Sequence, residues 1–170
     1  MKKKLIIYLS LVIVFFIIIL ILINYKKKTM KVETIQEVFF NIKKQYGVDI
    51  AKNVEKIYRL ETGHFTSQGY FQTKGAGMLA FEVNYPYGWE NMRNYWGVNP
   101  EHAPTGFVTM TGCDGKQHNY LKFKGFGGFY TLAEFLKQNG NNAGRWYSLL
   151  PDQQTYYNNL IAGITTNYVT

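Results

Sequence analysis

The residue best placed for acid–base chemistry is a glutamate at the end of a predicted helix. Ile50, Val54 and Ile57 recur at helical spacing, and the next position on that face is Glu61. Burial disfavours an ionised carboxyl group, and so does the negative end of the helix dipole. We therefore expect a raised pKa and a protonated Glu61 near neutral pH, as a general acid requires. The alternative is a glutamate that extends into solvent at a frayed helix end.

The segment after Glu61 has the composition of a cleft wall. Residues 62–78 are rich in Gly, Thr, Ser and aromatic residues, and residues 62–105 show little clear period beyond a short helix expected near 90–95. A connection of that length is uncommon in a compact domain unless it is functional. Aromatic rings in such a cleft would offer flat faces to sugar rings, with Asn and Thr side chains binding hydroxyl and N-acetyl groups. The alternative for most of these rings is ordinary core.

Two helices are predicted before this segment. Apolar residues at helical spacing indicate a first helix over residues 32–46, which should end at Gly47. The helix that carries Glu61 should begin near Ile50 with Asp49 as its N-cap, and it should end at residues 62–63.

A hairpin and two further helices are predicted after it. Strands over 106–111 and 117–123 flank an Asp-Gly turn, which is a strong hairpin signal. Thr131 and Glu134 have the spacing of a capping box before a helix over 132–138, and a last helix should cover 152–164. The apolar face of that last helix comprises Tyr156, Leu160, Ile161 and Ile164. The predicted fold class is α+β and mainly α.

Cysteine and histidine usage argues against a metal centre or an internal disulfide. Cys113 is the only cysteine, and His64, His102 and His118 lie far apart in the sequence. This spacing is unlike that of metal ligands. We expect no metal and no cofactor.

An apolar segment near the N-terminus predicts a membrane anchor. Residues 5–23 carry no charge and are long enough to span a bilayer. Neither a small-residue cleavage site nor a lipobox cysteine follows, so we predict an uncleaved signal anchor over 1–25. A basic linker over 26–31 and one domain over 32–170 complete the predicted organisation.

The charge distribution favours membrane lipid over nucleic acid as a partner. Residues 1–31 hold seven lysines and no acid, which leaves 12 basic and 11 acidic side chains for the rest of the chain. Lysines next to an apolar segment interact with anionic lipid head groups. Because lysines lie on both sides of the segment, the positive-inside rule does not orient it.

Several segments, taken in order, resemble glucosaminidase-like peptidoglycan hydrolases of the lysozyme superfamily, from bacteria or phages. The segments are E-T-G-H-F-T-S at 61–67, N-Y-W-G-V at 94–98, F-K-G-F at 123–126 with T-L-A-E-F-L at 131–136, and W-Y-S-L-L-P-D at 146–152 followed by Tyr156. The likeness covers roughly residues 48–168. His64 and Phe65 replace a Trp and a second Gly of the family's glutamate motif.

The resemblance implies a lysozyme-like helical lobe, a small β-hairpin lobe and a cleft between them. It assigns the general acid to Glu61 and a cleft tyrosine to Tyr147, with Asp114 as the first candidate for a second catalytic carboxylate. Glu82, Glu90 and Glu101 are the further candidates for that second group. The expected substrate-binding residues are Thr62, Phe65, Asn94, Trp96 and Trp146.

The expected activity is cleavage of the β-1,4 glycosidic bond in the glycan strands of peptidoglycan, of the N-acetylglucosaminidase type. A second carboxylate could activate water, the substrate's N-acetyl group could assist, or the sugar's own hydroxyl could close an anhydro ring as in lytic transglycosylases. A muramidase on the same fold, or an inactive membrane-tethered module that binds glycan, are the alternatives. Because peptidoglycan lies outside the cytoplasmic membrane, this function requires a cytoplasmic N-terminus and an external domain.

Overall fold

The computed structural model describes residues 14–19, 33–77, 99–112 and 114–170, and divides the chain into two units, Met1–Val32 and Glu33–Thr170. In the first unit, residues 14–19 are helical. Within the described ranges, no helix combines the length and apolar character that crossing a bilayer demands. Most of the anchor predicted over residues 5–23 lies outside those ranges.

The described part of the second unit is mainly helical and contains one antiparallel two-stranded sheet, so the predicted α+β class is confirmed. Its α-helices are α1 (Ile35–Tyr46), α2 (Val48–Glu61), α3 (Gln68–Thr73), α4 (Gly127–Gln138) and α5 (Pro151–Ala162). Short 3₁₀ helices cover Pro100–His102 and Ala143–Trp146, and the strands are β1 (Pro104–Thr111) and β2 (Gln117–Phe123).

The first two helices meet at a single residue. A capping box between Thr34 and Glu37 starts α1, three residues later than predicted. Gly47, at φ 91°, is at once the C-cap of α1 and the N-cap of α2. The prediction of Asp49 as the N-cap is therefore wrong: Asp49 lies in the first turn of α2, because no loop separates the helices.

The core is formed where α1, α2 and α4 pack together. Tyr58 on α2 stacks on Phe129 of α4 with ring centroids 3.6 Å apart, and Phe39 of α1 meets the same ring edge-on. All three side chains are buried, and each such burial stabilises the fold by about 1.5–3 kcal/mol. The other large apolar side chains that are fully buried here are Val38, Ile42, Val54, Ile57, Leu132 and Leu136.

The predicted hairpin is confirmed, with β1 beginning two residues earlier at Pro104. Val108 lies opposite Tyr120, and Met110 lies opposite His118. The Met110 side chain reaches α3, because a Cβ on Gly69 would lie 3.7 Å from its terminal methyl carbon. The hairpin therefore stands against the segment that follows Glu61.

Helix α4 begins five residues before its predicted start. Thr131 is buried inside the helix and its hydroxyl donates to the carbonyl of Gly127 at 3.1 Å, so the capping-box prediction is wrong. A Cβ on Gly127 would lie 2.8 Å from the backbone of His102, and one on Gly128 would lie 2.4 Å from the Tyr58 hydroxyl oxygen. The glycines let the first turn of α4 approach its neighbours closely, which explains glycine inside a helix.

Helix α5 begins at Pro151, close to the predicted start, and ends at Ala162. The predicted buried face holds only for Ile161, since Tyr156 and Leu160 are exposed and Ile164 lies beyond the helix. Asn142 and Asn158 instead bind the polar side of α5 to the preceding 3₁₀ turn through side-chain hydrogen bonds.

Candidate functional site

The candidate site is built on the C-terminal end of α2. Glu61 is the last residue of α2, and Thr62 caps it by donating its backbone N–H to the carbonyl of Tyr58. Gly63, His64 and Phe65 then follow one another with positive φ, at 55°, 58° and 70°. Such a left-handed run in two non-glycine residues is strained and reverses the chain sharply.

A cleft of about 530 Å³ opens beside Glu61, between the segment 61–77 and the hairpin. Its described lining is mostly uncharged, and hydroxyl and amide groups reach it from both sides together with apolar surface. The lining residues are Glu61, Thr62, Ser67, Gln68, Gly69, Tyr70, Gln72, Thr73, Gly75, Gly77, Thr109, Met110, Thr111, Gly112 and Tyr120. Among the described lining residues, Glu61 is the single acid.

Glu61 is exposed to solvent in this cleft, so the prediction that it lies on the buried face of α2 is wrong. The surrounding protein nevertheless raises its pKa above the ordinary value by desolvation, and the nearby Tyr147 hydroxyl opposes part of that rise. Gly77 faces the carboxylate closely, since a Cβ there would lie 3.2 Å from Glu61 Oε2. The predicted direction of the pKa shift is therefore confirmed, through a crowded cleft rather than a buried helix face.

Tyr147 comes to this carboxyl group from the C-terminal part of the chain. It follows the 3₁₀ helix Ala143–Trp146, and its ring stacks on Tyr157 of α5 at 4.5 Å. Its hydroxyl is buried and makes no hydrogen bond of ordinary geometry. Burial first, and then the charge of the neighbouring Glu61, raise the pKa of Tyr147 well above its ordinary value. The structure thus brings a neutral hydroxyl beside Glu61.

A buried ion pair on α2 supports the strained turn after Glu61. Arg59 Nε donates to Glu55 Oε1 at 2.8 Å, and Arg59 Nη1 donates to His64 Nδ1 at 3.2 Å. The guanidinium of Arg59 also lies over the rings of Phe65 and Tyr168, 5.4 and 5.5 Å from their centroids. The i, i+4 spacing of Glu55 and Arg59 was a usable sequence signal for this pair, although no prediction named it.

The same glutamate binds the C-terminal tail. Glu55 accepts backbone hydrogen bonds from Asn167 at 2.6 Å, from Tyr168 at 3.0 Å and from Val169 at 2.9 Å. Its side chain is fully buried. Residues more than 100 positions apart are thereby joined directly behind the Glu61 turn.

Three of the predicted substrate-binding residues are described, and none of the three offers a free group to the cleft. Phe65 is partly buried, packs against Tyr58 and Phe129, and lies outside the described cleft lining. Trp146 packs edge-on against Phe135 and also lies outside the cleft lining. Thr62 does line the cleft, but its hydroxyl donates to Tyr58 and accepts from the backbone of Phe65.

The candidates for a second carboxylate do not converge on Glu61 in the described residues. Asp114 is fully exposed in the hairpin turn, where the Lys116 backbone and His118 bind it and lower its pKa. Glu101 is exposed in a 3₁₀ helix, and neither residue lines the cleft. Asn94, Trp96, Glu82, Glu90 and the short helix predicted near 90–95 lie outside the described residues.

The hairpin contributes cleft groups that the sequence analysis did not single out. Thr109 donates to Asn119 across the strands at 2.7 Å, and Gln117 donates to Thr111 at 2.8 Å. Within the part of the chain that is described, no group of His, Cys, Asp and Glu side chains could hold a metal ion. What the arrangement offers is therefore one carboxyl group, one neutral tyrosine and a wall of hydroxyls and amides. No known protein family, curated protein or solved structure matches the chain.

Proposed function

We propose that this protein cleaves the β-1,4 glycosidic bond of peptidoglycan glycan strands, with Glu61 as general acid. One observation carries the proposal: a carboxyl group with a raised pKa stands in an open cleft between a helical body and a hairpin. A raised pKa keeps the acid protonated closer to neutral pH, which is what donation to a glycosidic oxygen requires. The division into helices and hairpin also supports the proposal of a lysozyme-like fold.

The cleft lining suits a neutral sugar polymer. Gln68, Gln72, Thr109 and Thr111 present amides and hydroxyls, and Tyr120 adds an aromatic face. Sugar rings bind to such surfaces through hydrogen bonds to their hydroxyl and N-acetyl groups and through packing on aromatic rings.

Proton donation is the first step that these residues support. Glu61 transfers its proton to the leaving glycosidic oxygen as positive charge develops on the sugar ring. The Tyr147 hydroxyl, neutral because its pKa is raised, then lies where it can donate to the newly formed carboxylate. The Tyr147 hydroxyl lowers the Glu61 pKa, as expected of a hydrogen-bond donor that favours the ionised form of the carboxyl group.

The second step favours assistance by the substrate itself. Glu61 is the one acid among the described cleft residues, and Asp114 is bound to its own turn. Attack by the N-acetyl group, or by the sugar's own hydroxyl as in lytic transglycosylases, needs no second carboxylate. A second carboxylate from the protein would have to come from outside the described cleft lining.

Purified cell walls incubated with the full-length chain in detergent provide the test. We expect soluble glycan fragments, and their masses identify both the bond and the mechanism. Hydrolysis yields reducing ends, whereas ring closure yields anhydro products lighter by one water. Tight binding to walls without any new chain ends would overturn the proposal and favour the inactive glycan-binding module.

The proposed location follows from the substrate. Residues 5–23 would anchor the chain in the cytoplasmic membrane, with the N-terminus inside and the domain 32–170 outside. The linker over 26–31 would then keep the cleft within a few nanometres of the bilayer, since each residue spans at most about 3.5 Å. Protease added to intact spheroplasts should digest the domain, and full protection would contradict this orientation.

Tyr147→Phe tests the tyrosine separately from the acid. The change keeps the stacked ring and removes the hydroxyl, so kcat should fall by about ten- to a hundredfold. The loss of a donor should also raise the Glu61 pKa further, so the alkaline limb of the pH–rate profile should move to higher pH. Measurements of kcat across pH, with exposed Tyr156→Phe as the control, check both effects. An unchanged rate and profile would assign the Tyr147 hydroxyl a purely structural role.

A further inference from the structure

A second cavity lies next to the cleft and has a different character. It is an open depression of about 620 Å³ between α3, the paired strands and the turn after β2. Three lysines line it, Lys74, Lys122 and Lys124, together with the apolar side chains of Phe71, Val108 and Phe123. We call this cavity the lysine groove.

The lysine groove continues the cleft. Gln72 lines both cavities, and α3 forms one wall of each. Helix α3 has six residues and so extends roughly 9 Å along its axis. A substituent on a sugar bound near Glu61 would therefore reach the groove along a continuous surface.

The positive charge of the groove is uncompensated by its described surroundings. No described lining residue is acidic, and none of the ion pairs among described residues involves these three lysines. The Lys74 ammonium is held over the rings of Tyr70 and Phe71, 4.8 and 5.1 Å from their centroids. One of the three charges is thus fixed in place by cation–π contacts, which suits a built site better than freely moving surface lysines.

We propose that the lysine groove binds the carboxylates of the peptide stems carried by the glycan strand. Exposed Phe71 and half-buried Val108 add apolar contacts beside the charges, and a peptide supplies both carboxylates and apolar side chains. A phosphate polymer of the wall supplies charge alone. This inference rests on the proposed function for the identity of the strand, and it adds peptide-substituted glycan as the preferred substrate.

Binding measurements test the groove independently of catalysis. The full-length chain carrying Glu61→Gln, in detergent, is sedimented with peptide-bearing strands, with strands whose peptides an amidase has removed, and with peptide-bearing strands stripped of phosphate polymers. Lys122→Gln with Lys124→Gln should raise the Kd for peptide-bearing strands about three- to tenfold at low salt, because two exposed charge contacts are lost. On strands without peptides, the Kd values of the parent and of the double lysine variant should agree within about twofold.

The control has the same change of charge at another place. Lys44→Gln with Lys52→Gln alters α1 and α2, outside both cavities. This variant should bind peptide-bearing strands with the same Kd as the Glu61→Gln protein without lysine changes. An equal loss in this control, or a loss that persists on peptide-free strands, would overturn the proposal. A loss that vanishes once phosphate polymers are stripped would assign the groove to phosphate instead. Walls that are bound in this lysine-dependent way but never cleaved would refute the enzymatic function and leave the groove intact.

Discussion

Glu61→Gln should reduce cleavage of glycan strands by about 10²–10⁴-fold, the usual contribution of a general acid. Glutamine keeps the size of the side chain and removes the transferable proton. Because the carboxyl group faces an open cleft, the substitution changes no core contact. Release of reducing or anhydro ends at fixed protein concentration measures the effect.

The stability of this variant separates chemistry from folding. Desolvation raises the Glu61 pKa, so the native state holds its proton more tightly than the unfolded chain does. That contribution to stability is present at low pH and is lost as pH rises through the raised pKa. A neutral glutamine avoids this loss, so at neutral pH the Tm should be unchanged or slightly higher than in the wild type.

A matched change elsewhere completes the experiment. Glu101→Gln removes an exposed carboxylate outside the cleft and should leave the activity at the wild-type level. If Glu61→Gln cleaved walls as fast as Glu101→Gln, at equal Tm, Glu61 would have no part in the mechanism. The wild-type pH–rate profile should fall on its alkaline side as pH rises through the Glu61 pKa, because only the protonated acid donates.

Local signals were sufficient for most of the elements and for the direction of the Glu61 pKa shift. The Asp-Gly turn predicted the hairpin to within two residues of its observed strands. Helical periodicity found α1 and α2, and Pro151 marked the start of α5. The expected rise of the Glu61 pKa rested on burial and on the helix dipole, and in the structure desolvation in the cleft raises that pKa although the carboxyl group is exposed.

Long-range packing decided the features that the sequence did not predict. Helix α4 begins at glycines because His102 and Tyr58 lie too close for a side chain, and neither residue is near in sequence. Phe65 belongs to the core because the left-handed turn directs it toward Tyr58 and Phe129. The partners of Glu55 lie more than 100 residues away, so no local pattern could reveal them.

Glu55→Ala should destabilise the folded domain by about 3–5 kcal/mol, the cost of leaving a buried charge without its partner. The substitution removes the acceptor of Arg59 and of the backbone N–H groups of Asn167, Tyr168 and Val169. The tail that places Tyr168 against Phe39, with ring centroids 5.5 Å apart, would lose its attachment. Denaturant unfolding of the full-length chain in detergent, monitored by tryptophan fluorescence, measures the change.

Asp152→Asn is the control for this prediction, because Asp152 is an exposed acid in the first turn of α5. This substitution should lower the free energy of unfolding by no more than about 1 kcal/mol. Deletion of residues 166–170 provides a second check through non-additivity. Once the tail is absent, Glu55→Ala should lower the free energy of unfolding clearly less than it does in the full chain, since the two changes remove the same contacts. Additive losses would show that Glu55 does not act through the tail.

The effect should extend to catalysis at temperatures where the variant remains folded. Arg59 holds His64 and Phe65 in their left-handed turn, and without Glu55 its guanidinium loses the contact that orients it. Glu61 lies immediately before that turn, so its carboxyl group should lose its fixed position relative to Tyr147. We therefore expect kcat to fall while the KM for glycan strands changes little, because the hairpin side of the cleft is untouched. A fully folded Glu55→Ala protein with wild-type kcat would show that the ion pair serves stability alone.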